Sequence, residues 1–241
     1  KGHIFCEKPP VTEPEELGAL LRFSTEVKKR IHFDFNMRFS VLFDILKTFP
    51  GRYDLGEPIS SQVIVGHGLG FKELYKSSWR SKARFHKAGV FETMGIHYFD
   101  LISFFFGPPV NFFHKGQTYS PYGDSIDTSH LSCNFANRSF LNLTSSYCMP
   151  FVESMHLYYT NGYIDFDAGK IKVCGPRETF DKNGFFMTPP VIYEDYIDIN
   201  SLYLESLRNS CAFFLDAICR KQEIPLKYFE QSVSSNKMCL D

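Results

Sequence analysis

Three short groups of residues carry side chains whose types and spacing could do chemistry together. Glu7-Lys8-Pro9 closes a short apolar stretch, Ile4 to Cys6, and Pro10 forbids the strand to continue. An ammonium fixed at such a strand end can stabilise a developing alkoxide. Trp79-Arg80, holding the only tryptophan, sits in a polar loop. Gly95-x-His97-x-x-Asp100 opens a helical segment. Its imidazole suits proton exchange near neutral pH. Each group has a plainer reading. Lys8 alone is a surface lysine, His97 a hydrogen-bonded helix residue and Trp79 a packing residue. Asp100, one turn from His97, could orient it or form a structural pair. Arg38 could pair with Asp34 or Asp44. His67, His86, His114, His130 and His156 lack metal-ligand spacing and read as surface or sheet residues.

The elements that must position these groups follow from pattern. Residues 3–6 read as a strand. Thr12 with Glu15 forms a capping-box signature, and Pro14 suits a first helical turn. The spacing predicts one helix over 13–29. Ile31, Phe33, Phe35 and Met37 alternate with polar residues and predict a second strand. Strand, helix and strand make a right-handed βαβ unit of a parallel sheet, too small to stand alone. A helix over 41–49 ends at Pro50-Gly51, a strand spans "PISSQVIVGH", and a helix runs from about Thr93 to Phe106. Strands at 110–118, 127–135 and 138–147 follow, then a hairpin turning at Asn161-Gly162, a helix over "NSLYLESLRNSCAFFLDAICRK" and a last helix from 226. The fold class is α/β plus α+β: residues 1–40 as a strand–helix–strand unit, and residues 41–241 as a mostly antiparallel open sheet with helices on one face. Tyr147, Tyr158, Tyr159 and Phe166 are expected in the core or at a subunit contact.

Composition narrows the class. Of the residues, 44% are hydrophobic and 26 are phenylalanine, enough for a large core. Lys plus Arg number 26 and Asp plus Glu 27, a balance that argues against a nucleic-acid binder. The seven cysteines form no CxxC, so neither a metal site nor a disulfide framework is expected; reduced thiols in the cytoplasm are. No apolar run is long enough to span a membrane. Asn137 and Asn142 match a glycosylation pattern that means nothing without secretion.

The ordered set resembles one family. "HIFCEKPP" is similar to the EKP strand end of the glucose–fructose oxidoreductase, inositol dehydrogenase and rhizopine-catabolism family (Gfo/Idh/MocA). "FNMRF" resembles the strand leading out of its dinucleotide domain. "WR…AGVFETMGIHYFDLISFFFG" resembles its segment from Trp-Arg to the helix carrying Gly-x-His-x-x-Asp. "DTSHLSCNFANRSFLNLTSSY" and "YYTNGYIDFD" resemble its sheet hairpins. The resemblance implies an NAD(P)-dependent oxidoreductase with NAD or NADP as cofactor and a sugar, sugar derivative or nucleotide-sugar as substrate. It implies that Lys8 and His97 are catalytic, that Glu7, Pro9, Trp79 and Arg80 border the cofactor, and that Arg38, Glu92, Thr93 and Asp100 lie at the substrate. It implies a homodimer or homotetramer through the sheet face. It also implies that residues 1–40 are the C-terminal remnant of a Rossmann dinucleotide-binding domain, with some ninety preceding residues that hold a glycine-rich phosphate loop, and that residues 41–241 are the substrate-binding and oligomerisation domain. Hence a truncated piece of a longer enzyme is expected, inactive alone. "GHGLG", Gly66 to Gly70, follows the wrong strand and is expected to have no helix after it.

One departure stands out. The family carries an aspartate four residues before the histidine, and this sequence has Thr93; Glu92 is adjacent but about 100° round the helix. The usual double glycine is reduced to Ala88-Gly89. These departures leave open a non-catalytic, sugar-binding or oligomerisation role, and a related reductase chemistry on the same fold.

Overall fold

The structure, a computed structural model, describes residues 2–178 and 180–240. Strand β1 (Ile4–Cys6) pairs in parallel with β2 (Ile31–Phe33) through helices α1 (Pro14–Leu21) and α2 (Thr25–Lys28). The single helix expected over 13–29 is two, because Ser24 accepts a hydrogen bond from the Val27 amide and starts a new turn. The capping box is one residue later than expected, at Glu13 and Glu16. The second strand is also shorter than its alternation predicts. After Phe33 the chain turns, with the Phe35 amide donating to Phe33 O, and residues Asn36–Phe39 form a 3-10 turn. Residues 31–38 are buried throughout, so the pattern is not that of a half-exposed strand.

Helix α3 (Val41–Arg52) runs through Pro50, which sits in its last turn, and leads to β3 (Pro58–Gly66). The eight-stranded sheet has the order β10-β9-β8-β7-β3-β6-β5-β4, with β4 (Pro109–Gln117), β5 (Thr128–Phe135), β6 (Phe140–Ser146), β7 (Val152–Tyr159), β8 (Gly162–Asp167), β9 (Lys170–Cys174) and β10 (Val191–Tyr196). Only β3 and β6 pair in parallel. Strand β10 was not expected; its Val191, Ile192 and Tyr193 follow Pro189-Pro190 as an edge strand. Short helix α4 (Glu73–Ser77) follows Gly66 to Gly70, correcting the expectation that no helix does.

One sheet face packs on α5 (Ile96–Phe106), with Val63, Leu131, Leu143 and Phe166 buried in the common core. The other face, with Ile64, Phe140 and Tyr158, is open. Tyr147, Tyr159 and Phe166 are core residues; Tyr158 alone of that group is exposed. Helices α6 (Ile199–Cys219) and α7 (Leu226–Leu240) return to the N-terminal unit. Phe214 meets Phe5, Ser210 donates to Asp34 and bonds His32, and Asn236 bonds both backbone atoms of Val11.

Candidate active site

The segment entering α5 is wound as a π-helical turn, Phe91–Gly95. Such turns widen the ladder and are frequent at functional sites. Two glycines make it possible. At Gly89, φ is +56° and a Cβ would fall 2.1 Å from Ile126 O. At Gly95 a Cβ would fall 2.9 Å from Ser145 Oγ on β6, so glycine lets the helix start press on the sheet.

Lys8 reaches this turn from the end of β1, after a cis Lys8-Pro9 peptide. Its Nζ donates to Glu92 O at 2.9 Å and Thr93 O at 2.7 Å. Burial lowers its pKa to about 8; Cys239, Glu7 and Glu92 oppose that fall and Arg80 adds to it. His97 lies one turn on. Burial, then the charges of Lys8 and Arg38, hold its imidazole well below the ordinary range. Its Nδ1 is buried with no partner among the described residues. Neutral histidine and nearby ammonium therefore coexist at neutral pH.

A cleft of about 510 Å³ opens beside them, lined by Asn36, His67, Thr93, His97, Tyr98 and Glu153 among mostly apolar side chains. Thr93 occupies the aspartate position of the resemblance. Its Oγ1 donates to Val90 O at 3.1 Å and meets Tyr147 Oη at 2.5 Å. Tyr147 in turn lies against the His67 ring, centroids 5.1 Å apart, with the Arg80 charge working against the upward shift that burial gives its phenol. Arg80 stacks over Trp79 at 4.5 Å, and Trp79 is 47% exposed. Glu7 is exposed beside Lys8.

Three residues expected at the substrate are placed otherwise. Arg38 and Asp100 bond each other in the core: Nε to Oδ2 at 2.7 Å, Nη2 to Oδ1 at 2.6 Å, with side chains 1% exposed. Asp100 therefore holds Arg38 and not His97, and neither Asp34 nor Asp44 is Arg38's partner. Glu92 turns its Oε1 to the amides of Lys87 and Ala88, both at 2.9 Å, and so caps the turn. None of the three lines the cleft, and neither do Glu7, Lys8, Pro9, Trp79 or Arg80; of the expected residues Thr93 and His97 do. Conversely, His67, read as a surface or sheet residue, lines it. Tyr98, Tyr147 and Glu153 had not been singled out for chemistry. Glu153 carried a signal: on β7 it shares the core-facing row with Met155, Leu157 and Tyr159, where an acid is out of place.

Residues 52–165 match the GFO/IDH/MocA C-terminal domain family. This segment belongs to that family. Solved structures extend the likeness of fold over nearly the whole chain. An oxidoreductase from Thermotoga maritima is 20% identical with a TM-score of 0.73, over 98% of this chain and 67% of that one. An oxidoreductase from Agrobacterium radiobacter in complex with NAD+, L-tartaric acid and magnesium is 15% identical with a TM-score of 0.72, over 98% and 68%. A myo-inositol dehydrogenase from Corynebacterium glutamicum is 17% identical with a TM-score of 0.69, again over 98% and 68%. The chain thus spans about two thirds of the length of these Gfo/Idh/MocA-type structures. No curated protein sequence matches it. Among the described residues no helix is long and apolar enough to cross a membrane.

Proposed function

We propose that the protein is a nicotinamide-dependent oxidoreductase acting on a secondary alcohol of a sugar or sugar derivative. The observation that carries this reading is His97 on the cleft wall with the charge of Lys8, itself bonded to the carbonyl of the cleft residue Thr93, acting on it, in a fold shared with oxidoreductases that include an NAD+ complex. NAD or NADP would supply or take the hydride. Lys8 would hydrogen-bond the reacting oxygen, its ammonium offsetting developing negative charge. Neutral His97 would accept the hydroxyl proton during oxidation and return it during reduction. Trp79 and Arg80 would border the nicotinamide ring, with Glu7 and Pro9 fixing Lys8. These residues fit the reactive end of the cofactor. The pyrophosphate end does not find its turn here: Gly66 to Gly70 leads only into the five-residue α4. By this reading residues 1–40 complete a dinucleotide domain and the remainder binds substrate.

We assign the open sheet face to contact with a second copy, and the seven free cysteines fit a reducing compartment such as the cytoplasm. A second reading, a non-catalytic sugar-binding or oligomerisation protein, is favoured by one feature: the Thr93–Tyr147 pair where the family has aspartate. Nicotinamide absorbance, followed in the full-length protein against a panel of polyols and sugars, separates the two. Turnover supports the enzyme; sugar binding without turnover supports the second reading.

A further inference from the structure

Glu153 stands on the cleft wall with no basic partner. Its Oε1 accepts the Tyr98 hydroxyl at 2.6 Å, and among the described residues neither oxygen meets a lysine, arginine or histidine. The side chain is buried, and apolar Val65, Phe151, Val152 and Leu202 line the same cleft, whose other polar members include Asn36, His67, Thr93, His97 and Asn200. Burial raises its pKa, with the Tyr98 bond opposing. A desolvated carboxylate is costly unless a cation or several donors answer it. Contrast Asp100, more deeply buried, which has Arg38 across it and Ser235 donating at 2.6 Å. Tyr98 supplies one donor to Glu153 and fixes its orientation. What remains to be supplied points into the cleft.

We propose that Glu153, oriented by Tyr98, selects a substrate bearing an ammonium group: an aminated sugar or aminated cyclic polyol rather than its neutral or carboxylated counterpart. The apolar wall takes the carbon-bound face of the ring, and Glu153 takes the ammonium. This rests on the cleft being the substrate site, as proposed above, but not on any redox step. The carboxylate sets a preference and takes no part in the chemistry.

The test is calorimetry on the full-length protein with D-glucose and its 2-amino, 3-amino and 6-amino deoxy analogues. At least one amine is expected to bind ~10-fold more tightly than glucose, the scale of a well-placed charge pair. Glu153→Gln keeps an acceptor for Tyr98 and should abolish that preference, read as the ratio of amine to glucose affinity within the variant. A readout in the unaltered protein guards against a misfolded variant: the Glu153 carboxyl carbon signal, followed by NMR across pH, should titrate at lower pH when the preferred amine saturates the cleft. Equal affinities, no binding of any amine, a preference that survives in Glu153→Gln, or an unmoved carboxyl titration each overturns the proposal. Amine selectivity without nicotinamide turnover would remove the oxidoreductase reading and leave this one. Turnover of neutral polyols without amine preference would do the reverse.

Discussion

Arg38 and Lys8 are both cations held inside the molecule by the start of the same helix, and they are held very differently. Arg38 spends its fork on Asp100, gives Nη1 to Tyr228 O at 2.9 Å, and lies over the Phe35 ring at 4.7 Å. Asp100 has a further donor in Ser235. This is a bidentate, closed pair that ties the 36–39 turn, α5 and α7 together. Lys8 has only two backbone carbonyls and no carboxylate in bonding distance, and His97 beside it keeps an unpartnered Nδ1. Burial is common to both places. What differs is saturation. By the function proposed above, residues whose bonds are filled serve structure and those left with open bonds beside the cleft serve a ligand.

Breaking the closed pair should give the largest effect, and it should fall on stability. Arg38→Met leaves Asp100 buried without its cation and is expected to cost about 3–5 kcal/mol. Denaturant unfolding of the variant checks this. The double variant Arg38→Met with Asp100→Leu should recover much of the loss, since two apolar residues leave no charge unpaired. A single variant of unchanged stability would mean that saturation is not what separates the two regions.

Breaking the open site should fall on turnover instead. Lys8→Met in the full-length protein is expected to lower turnover by at least ~10²-fold, the scale of a lost charge-stabilising donor. Its melting temperature should not fall. The sign follows from the depressed pKa of about 8. The folded protein disfavours the ammonium relative to the unfolded chain, so Lys8 costs stability in full below pH about 8. That cost disappears as pH rises toward the unfolded value, ~10.4. Parallel melts of the two proteins from pH 7 to 10 should show a gain in the native sequence that the variant lacks. Loss of both stability and turnover would make Lys8 a structural residue like Arg38.

Histidines sharpen the contrast at acid pH. Burial, then the Arg38 charge, lowers His32 to about 4, and its Nδ1 also lacks a partner. The unfolded chain takes up protons near pH ~6.5 while folded His32 does not, so stability falls as pH falls from there toward 4. For His32 alone the loss between pH 7 and 5 is about 2 kcal/mol, an order-of-magnitude figure. His97 has the same direction and adds to it. Melting curves across that range check the slope, which His32→Gln should flatten without touching turnover. His97→Asn should flatten the pH–rate profile as well, because His97, unlike His32, lines the cleft.

How much of this was legible in the sequence depends on the range of the interaction. The sheet hairpins were, because alternation in "DTSHLSCNF" and "RSFLNLTSS" records one buried face and one open one. The placing of Lys8 at a strand end and of His97 at a helix start was, through local motif and resemblance. The strand expected through Met37 was not, because both its faces are buried by α6 and α7, which lie far along the chain. Nor was the fate of Arg38: an arginine at a junction reads the same whether its partner is a ligand or an aspartate 62 positions away. Tyr147 and His67 became part of the site only when β3 and β6 lay side by side, a pairing no local pattern announces.

The smallest effect is expected where hydrogen-bond geometry is good but the setting is wrong. On the open sheet face Ser154 Oγ lies 2.8 Å from His156 Nε2, and His156 Nδ1 lies 2.7 Å from Asp165 Oδ1. Serine, histidine and aspartate thus meet through the same atoms as in a nucleophilic relay. But His156 and Asp165 are directly opposed on β7 and β8, and Ser154 is the next residue along that face, so pleat and register bring them together. A sheet face also offers no oxyanion donors. Its backbone N–H groups lie in the plane and pair with neighbouring strands, and without such donors a tetrahedral intermediate gains little. The cleft beside His97 includes none of the three residues. Ser154→Ala and His156→Gln are therefore expected to leave turnover unchanged and to shift stability by no more than about 0.5 kcal/mol each. A fluorophosphonate probe should leave Ser154 unlabelled. Labelling that His156→Gln abolishes would show that a bonded relay can work on an open sheet without a cleft, and would undo the distinction drawn between filled and open sites.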